Sequence, residues 1–434
     1  MSSQAQQRMS LGDTEKAFRL VQQLAGEIGI RVAGTEPEKK GVAVLQETFQ
    51  TMGLETQLQT FPQPVWEETN AILEVIGEEC LSVTSPCFGG IGEVVGDVVA
   101  VGDPLTPNQV EGLDLKDKIG LVDGRDVVRD YPDHPQTDLL TTCGVKGLIF
   151  LAGQGQFGGV PQAYYNFKRW FHGGTPLSLI TSYAEGVHLA GKRVRMRVEA
   201  SVGWSESMNL VAEIRGCERP EETVVVSAHH DTTPTSPGAM DNAGGCGVVV
   251  ELARIFSQGL APKRTIRFIL FGGHETGLHG SEHWLRTHLS EINQCVAIIN
   301  FDGIGSPDGD DFALILGSKY WESQIEKAIT LAGKPVKTAI GPGGVDMVNF
   351  AALGIAAVNF GQHGMQRAHT QLDNIHFVSP QGMETALCCS AALLSALTDG
   401  PSSTGYESMQ TKTSWDQLAQ VRRYCNRWGW GITS

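Results

Sequence analysis

The sequence predicts an α/β fold, a mostly parallel mixed sheet sandwiched by helices and interrupted by an inserted β-rich module. Three observations carry that expectation. From residue 210 to 398, apolar strand-like runs alternate with amphipathic helical ones, beginning with "TVVVSAHH" and "GGCGVVVELARIF". These strands are continuously hydrophobic rather than alternating, as in a sheet covered on both faces. Between about residues 80 and 205 the texture shifts to short strands with frequent glycine, and it shifts back afterwards. A chain of 434 residues also exceeds the size at which a single core keeps growing, so at least two units are expected.

Residues 14 to 53 read as two helices split at "RVAGTEPEKKG". Leu20, Val21, Leu24 and Ile28 keep a helical period in the first, and Val42, Leu45 and Phe49 in the second. Two strand-like runs, "LETQLQTF" and "AILEVIG", complete a segment 1–79 that belongs with the later α/β part. Segment 80–205 holds the strands "VVGDVVAVG", "KIGLVDG", "KGLIFLAG" and "RVRMRVEAS", with an aromatic cluster at "YYNFKRWF". Segment 206–399 continues with "TIRFILFGG", "VAIINFD", "DFALILG" and "IAAVNFG" among helices, the last helix falling near 380–398. Segment 400–434 opens on the linker-like "GPSSTG" and closes in a helix, "WDQLAQVRRYCNRW". The apolar area of that tail predicts docking either on the body or on a second copy of the chain, the second of which would make a homo-oligomer.

A formal charge of −15 argues against a nucleic-acid partner. No uninterrupted apolar run reaches the ~18 residues of a membrane span, and the first residues lack the apolar core of a signal peptide. The nine cysteines are unpatterned, which points to reduced thiols and a cytoplasmic location.

In an open α/β sheet, ligands bind beyond the carboxyl ends of the strands. The first strand of the 206–399 segment ends in His229, His230 and Asp231, and a glycine-bounded loop then delivers Asp241 and Asn242 to the next helix. The second ends in His274 and Glu275, the third in Asp302, and the last in a loop carrying His363, His369 and Asp373. Taken singly, a strand-end histidine is an ordinary polar residue, and Asp241 fits a helix cap as well as a ligand. Together, nitrogen and oxygen donors on separate rigid elements predict a metal site. His230, next to His229, should point to the other side of its strand and be buried.

Four segments, "SAHHDTTPTSPGAMDNAGG", "FILFGGHETGLHGSEHW", "INFDGIG" and "AHTQLD", resemble the metal-binding segments of the co-catalytic zinc aminopeptidases and glutamate carboxypeptidases. The insert resembles their protease-associated domain, through "GLDLKDKIGLVDG", "GVKGLIFLAG" and "TPLSLITSYAEGVHL". The resemblance covers roughly residues 14 to 398. It implies two divalent ions, zinc foremost, with manganese and cobalt also matching the donors. Asp241 would bridge them, His229 and Asp302 would complete one, and Glu275 and His369 the other. Asp231 would orient His229. The implied reaction is attack of a metal-activated water on an amide of a peptide or of a small N-acyl or aminoacyl compound.

One position departs from the family pattern. There a glutamate acts as general base immediately before the ligand glutamate; here that residue is His274. A carboxylate turns neutral on taking a proton, whereas a histidine turns cationic beside metal ions and is the weaker base. His274 is expected still to carry the proton, with weight shifted from peptides toward a specialised small amide. Two other classes stand beside this reading: a metal-binding scaffold with weak turnover, and a single-metal cyclase or lyase. The second is opposed by the presence of both His229 and Asp302. Candidate substrate contacts are Asp346 in "GGVDMVNF" and Arg367 near His369. Tyr164, Lys168, Arg169 and Trp170 are candidates for a lid, with packing inside the insert as the competing reading.

Overall fold

The computed structural model describes residues 3–78, 80–102, 110, 112–124, 135–152, 160, 162–165, 170, 173–363, 365–400 and 415–427. Its strands are β1 (Thr56–Val75), β2 (Cys80–Leu81), β3 (Val83–Thr84), β4 (Gly92–Gly102), β5 (Ile119–Gly124), β6 (Gly147–Ala152) and β7 (Ser178–Ser182). They continue with β8 (Arg193–Ile214), β9 (Arg219–His229), β10 (Arg264–Phe271), β11 (Cys295–Phe301), β12 (Asp311–Leu316), β13 (Lys337–Ile340) and β14 (Ala356–Gln362).

The central layer follows from strand composition. β10, β9, β11 and β14 lie side by side and parallel, while β12 and β8 flank them antiparallel, which makes the sheet mixed. Successive residues face opposite sides, so a run such as Val224–Val225–Val226 needs two covering layers. Val224 and Val226 meet helices Thr14–Val21, Glu36–Thr51, Gly244–Ser257 and Pro380–Asp399. Val225 meets the opposite layer, built from helices His279–Thr287, Met347–Ala352 and Trp415–Arg427. In the last of these, Val421 and Cys425 are buried, and Arg422 Nε donates to the Ala352 carbonyl at 3.1 Å. That stretch of the tail therefore docks on the body.

The two runs expected as separate strands at residues 54–61 and 71–77 are one strand, the 20-residue β1. β8, 22 residues long, pairs with it antiparallel from Thr56↔Ala212 to Val75↔Val194, past an irregularity at Glu68/Asn70. A continuous partner supplies hydrogen bonds across the weak middle, which no local signal predicts. β8 also pairs with β10 at one end and with β4 at the other. The expected boundary between residues 205 and 206 thus falls inside β8, because a single strand serves both units.

The second unit continues from β4 through the parallel neighbours β5, β6 and β7, with β3 antiparallel on β7. Helix Pro135–Thr142 lies between β5 and β6 in the chain, so this unit is a small α/β layer with its own apolar clusters. Among the described residues, no helix is long and apolar enough to cross a membrane.

Candidate metal centre

β9 carries His229 to the carboxyl edge of the sheet, and alternation turns His230 the other way. His230 is buried, with Nε2 2.9 Å from the Met208 carbonyl. The Nδ1 of His229 lies 3.1 Å from the Asp231 carbonyl and 3.6 Å from its carboxylate. Its Nε2 faces Asp241 Oδ1 at 3.1 Å and Asp302 Oδ1 at 3.8 Å. Asp231 accepts the backbone N–H groups of His274 and Glu275, each at 3.1 Å, and so ties the end of β9 to the loop after β10.

Asp241 sits in an irregular turn, and the helix cap belongs to its neighbour. Asn242 Oδ1 accepts the Gly245 N–H at 3.1 Å, and its Nδ2 donates to the Phe301 carbonyl at 2.8 Å. The Asp241 carboxylate is thereby left for the cluster. Asp373 holds the turn from the far side, accepting the N–H groups of Met240 (2.7 Å) and Asp241 (3.0 Å). Burial, then the charge of Asp241, pushes Asp373 up to about 7. Gly244 is required where the loop after β11 approaches, because a Cβ there would meet the Ile304 carbonyl oxygen at 1.9 Å. Arg31 braces the same loops with donors to the carbonyls of Leu24 (2.9 Å), His230 (3.1 Å), Pro237 (2.9 Å) and Gly238 (3.2 Å). Burial lowers its pKa to about 10, which leaves it charged at neutral pH.

On the other side of Asp241, His369 Nε2 lies 3.1 Å from Glu275 Oε2 and 3.4 Å from Asp241 Oδ2. The structure therefore brings His229, Asp241, Glu275, Asp302 and His369 together, and all five side chains are buried. Oδ1 of Asp302 and Oε1 of Glu275 are buried without a hydrogen-bond partner. Leaving such oxygens unmet inside a cluster of carboxylates is costly. Divalent cations resolve that cost, and mixed imidazole and carboxylate donors suit zinc. The residues present fit such a group.

His274 adds a sixth side chain, 5 % exposed. Its Nδ1 lies 2.9 Å from Asp346 Oδ2, and its Nε2 lies 3.6 Å from Asp302 Oδ2. Burial and the adjacent His229 pull its pKa down, but Asp346 and Asp302 outweigh them and raise it. Donor atoms fall into two tight groups, His229/Asp241/Glu275 and His229/His274/Asp302. The second cannot be a shared coordination sphere for both imidazoles. Their rings are stacked with centroids 3.8 Å apart and planes 6° apart. An imidazole nitrogen offers its lone pair in the ring plane, and two stacked planes do not meet at one ion. His274 thus stacks on His229, with Nε2 on the Asp302 side.

The other sequence candidates distribute as follows. Asp346 was expected at the substrate; it is fully buried, with one carboxylate oxygen engaged by His274. Arg367 is half-buried, its guanidinium stacked 4.2 Å above the Phe377 ring. Tyr164 and Trp170 pack against the apolar cluster of the second unit. The Tyr164 phenol is pushed well up by burial, then by Cys87, Glu275 and Asp231, which places it on the cluster side of that unit. Lys168 and Arg169 lie outside the described residues. His363 is exposed and rests on Phe312 (centroids 4.7 Å), away from the cluster. Sequence reasoning missed Arg31 and Gln162, both of which act through backbone carbonyls.

A buried set of strand-end imidazoles and carboxylates on a mixed α/β sheet defines a metal-dependent hydrolase. Residues 209–393 match the model of peptidase family M28. The chain is 26% identical over 396 residues to an aminopeptidase of Bacillus subtilis (YwaD), covering 85% of this chain and 82% of that one. It is 25% identical over 349 residues to human carboxypeptidase Q, covering 73% and 70%. Among solved structures, a zinc aminopeptidase from Bacillus subtilis superposes with a TM-score of 0.72 at 21% identity, covering 92% of this chain and 98% of that one. A peptidase M28 precursor from Shewanella amazonensis gives 0.75 at 21% identity, covering 92% and 96%. Residues 209–393 thus carry the likeness to peptidase family M28, and the chain is an enzyme of the zinc-dependent metallopeptidase kind.

Proposed function

We propose that this chain hydrolyses an amide bond of a peptide or of a small N-acyl or aminoacyl compound at a two-zinc centre, with His274 as proton carrier. The observation that supports it most is the Asp346–His274 pair beside, and not within, the His229 ion position. His229, Asp241 and Asp302 would hold one ion, and Asp241, Glu275 and His369 the other. Three carboxylates would leave the pair with a net charge of about +1. Bound ions would polarise the amide carbonyl and acidify water.

The chain's own residues supply the rest. Asp346 accepts the Nδ1 proton of His274, which puts the Nε2 lone pair toward the cluster. Nε2 takes the proton of the attacking water as the C–O bond forms, and returns it to the nitrogen as the C–N bond breaks. Asp231 fixes both the His229 ring and the backbone that carries His274 and Glu275. A histidine that turns cationic in this position serves best where the leaving nitrogen departs easily, which favours small activated amides.

The test is His274→Ala on a panel of aminoacyl, peptidyl and N-acyl amides, with metals counted per chain. Turnover should fall by about 10²–10⁴ with both zinc ions retained. Undiminished turnover would remove His274 from proton transfer, and loss of an ion would make it a ligand.

A further inference from the structure

We infer that the second unit completes the Glu275/His369 half of the metal centre, with Gln162 as the positioning residue. This rests on the two-ion reading above. His369 has φ +62°, a left-handed conformation that costs a non-glycine residue energy and persists only where surroundings hold it. Gln162, 207 residues earlier, holds it twice. The Gln162 N–H donates to the His369 carbonyl at 2.9 Å, and His369 Nδ1 donates to the Gln162 carbonyl at 3.0 Å. The second bond fixes the tautomer, so the lone pair on Nε2 faces Glu275 and Asp241.

Gln162 is in turn locked into its own unit. Its side chain is buried, and Nε2 donates to the Ser85 carbonyl at 2.6 Å. The Cys87 N–H donates to the Ala163 carbonyl at 2.8 Å, and the Tyr165 N–H donates to the Cys87 carbonyl at 2.8 Å. Ser85 N–H is accepted by Glu68, on β1. From the metal-binding unit, the His369 carbonyl also accepts Thr235 Oγ1 at 2.8 Å. The ring nitrogen Nδ1, however, is met by the second unit. His229 differs: its Nδ1 is met by Asp231, two residues along the same chain segment. Retention of the ion on the His369 side thus depends on the seating of segment 162–165, while retention on the His229 side does not.

The test compares wild type, Gln162→Met, which keeps volume but removes the side-chain bond to Ser85, and His369→Ala. Zinc is counted per chain after gel filtration, and both dissociation constants are measured by competition with a chelating dye. Gln162→Met keeps both backbone bonds to His369 but releases their side-chain anchor on Ser85, so it should hold one ion at wild-type affinity and the other about 10-fold more weakly, the lower end of the cost of losing support behind a ligand histidine. Unchanged affinity for both ions, or equal weakening of both, overturns the inference. A wild type that holds a single ion overturns the two-ion reading and this inference with it. Two ions in wild type, one in His369→Ala and two tightly held in Gln162→Met overturn this inference alone.

Hydrogen exchange on the unmodified protein gives a second test that no folding defect can spoil. Raising zinc from one to two equivalents should slow exchange of the Gln162 amide while β11 amides stay unchanged. An unaltered Gln162 amide overturns the coupling.

Discussion

The two halves of the cluster are held by different kinds of structure. His229 and Asp302 stand at the ends of β9 and β11, neighbouring central strands with buried side chains on both faces. Glu275 and His369 stand on loops, and His369 keeps a costly backbone conformation with help from a segment more than 200 residues away. The first half is preorganised by the sheet that forms the core. The second is assembled when two units meet. Position on a core strand gives a ligand its rigidity for nothing more than folding, whereas a loop ligand needs an outside partner to match it.

Asp241 is the one carboxylate facing both histidines, His229 and His369, and removing its charge should have the largest effect. Asp241→Asn is expected to lower zinc occupancy on both sides and to cut turnover by at least about 10³, the rate equivalent of several kcal/mol of charge stabilisation. Metal analysis and kcat on the same sample check this. If one ion stays at full occupancy, the halves do not share Asp241. Next come the two histidines. His229→Ala and His369→Ala should each lose one ion, but only His369→Ala should leave the exchange of the Gln162 amide insensitive to zinc. Identical exchange patterns in the two variants would erase the distinction between the halves.

His274 belongs to the His229 half by its stacking, and to the opposite helical layer by its partner at the start of helix Met347–Ala352. Asp346→Asn keeps the shape but can present a donor to Nδ1, so the tautomer is no longer fixed. Turnover should drop by about 10–100-fold with zinc affinity and KM nearly unchanged. A matching fall in zinc affinity would instead place Asp346 behind a ligand. His274→Glu should restore a base that neutralises on protonation, and activity should move toward ordinary peptides. A gain confined to the wild-type substrate would argue that substrate choice is set elsewhere.

The difference between the halves also governs what could be read from sequence. The sheet was legible because its strands are unbroken apolar runs such as "TVVVSA" and "VAIIN", a pattern that needs no partner to be seen. Strand-end donors were legible because each follows such a run directly, and His369 joined them through a motif rather than a periodicity. The supports were mostly silent. Gln162 acts through its backbone carbonyl, a group every residue has, and Arg31 binds five carbonyls that no side-chain pattern marks. Asp346 was visible as a polar residue in an apolar stretch, but its partner, 72 positions away, was not. The fusion of two short runs into β1 depended on β8, so only pairing revealed it.

The smallest effect on the site itself is expected from Glu38, a buried brace beneath the His229 half. It accepts the Gly34 N–H and the Ser207 hydroxyl, each at 2.6 Å, and lies 3.9 Å from His230 Nδ1. Burial raises its pKa to about 8, with a further push from Asp231 against the lowering hydrogen bonds of Ser207 and Gly34. A carboxyl with a raised native pKa binds its proton more tightly when folded, so its stabilising contribution is full below pH 4.5 and is lost as pH rises toward 8. The slope is at most about 1.4 kcal/mol per pH unit within that window. Glu38→Gln mimics the protonated form, its carbonyl accepting from Gly34 and its amide donating to Ser207. The variant should therefore match wild type near pH 5 and exceed it increasingly toward pH 8 in urea unfolding at fixed free zinc, with turnover unchanged. A stability difference independent of pH would mean that the carboxyl is ionised in the folded protein. The His229 half would then carry one more buried negative charge for its ion to balance.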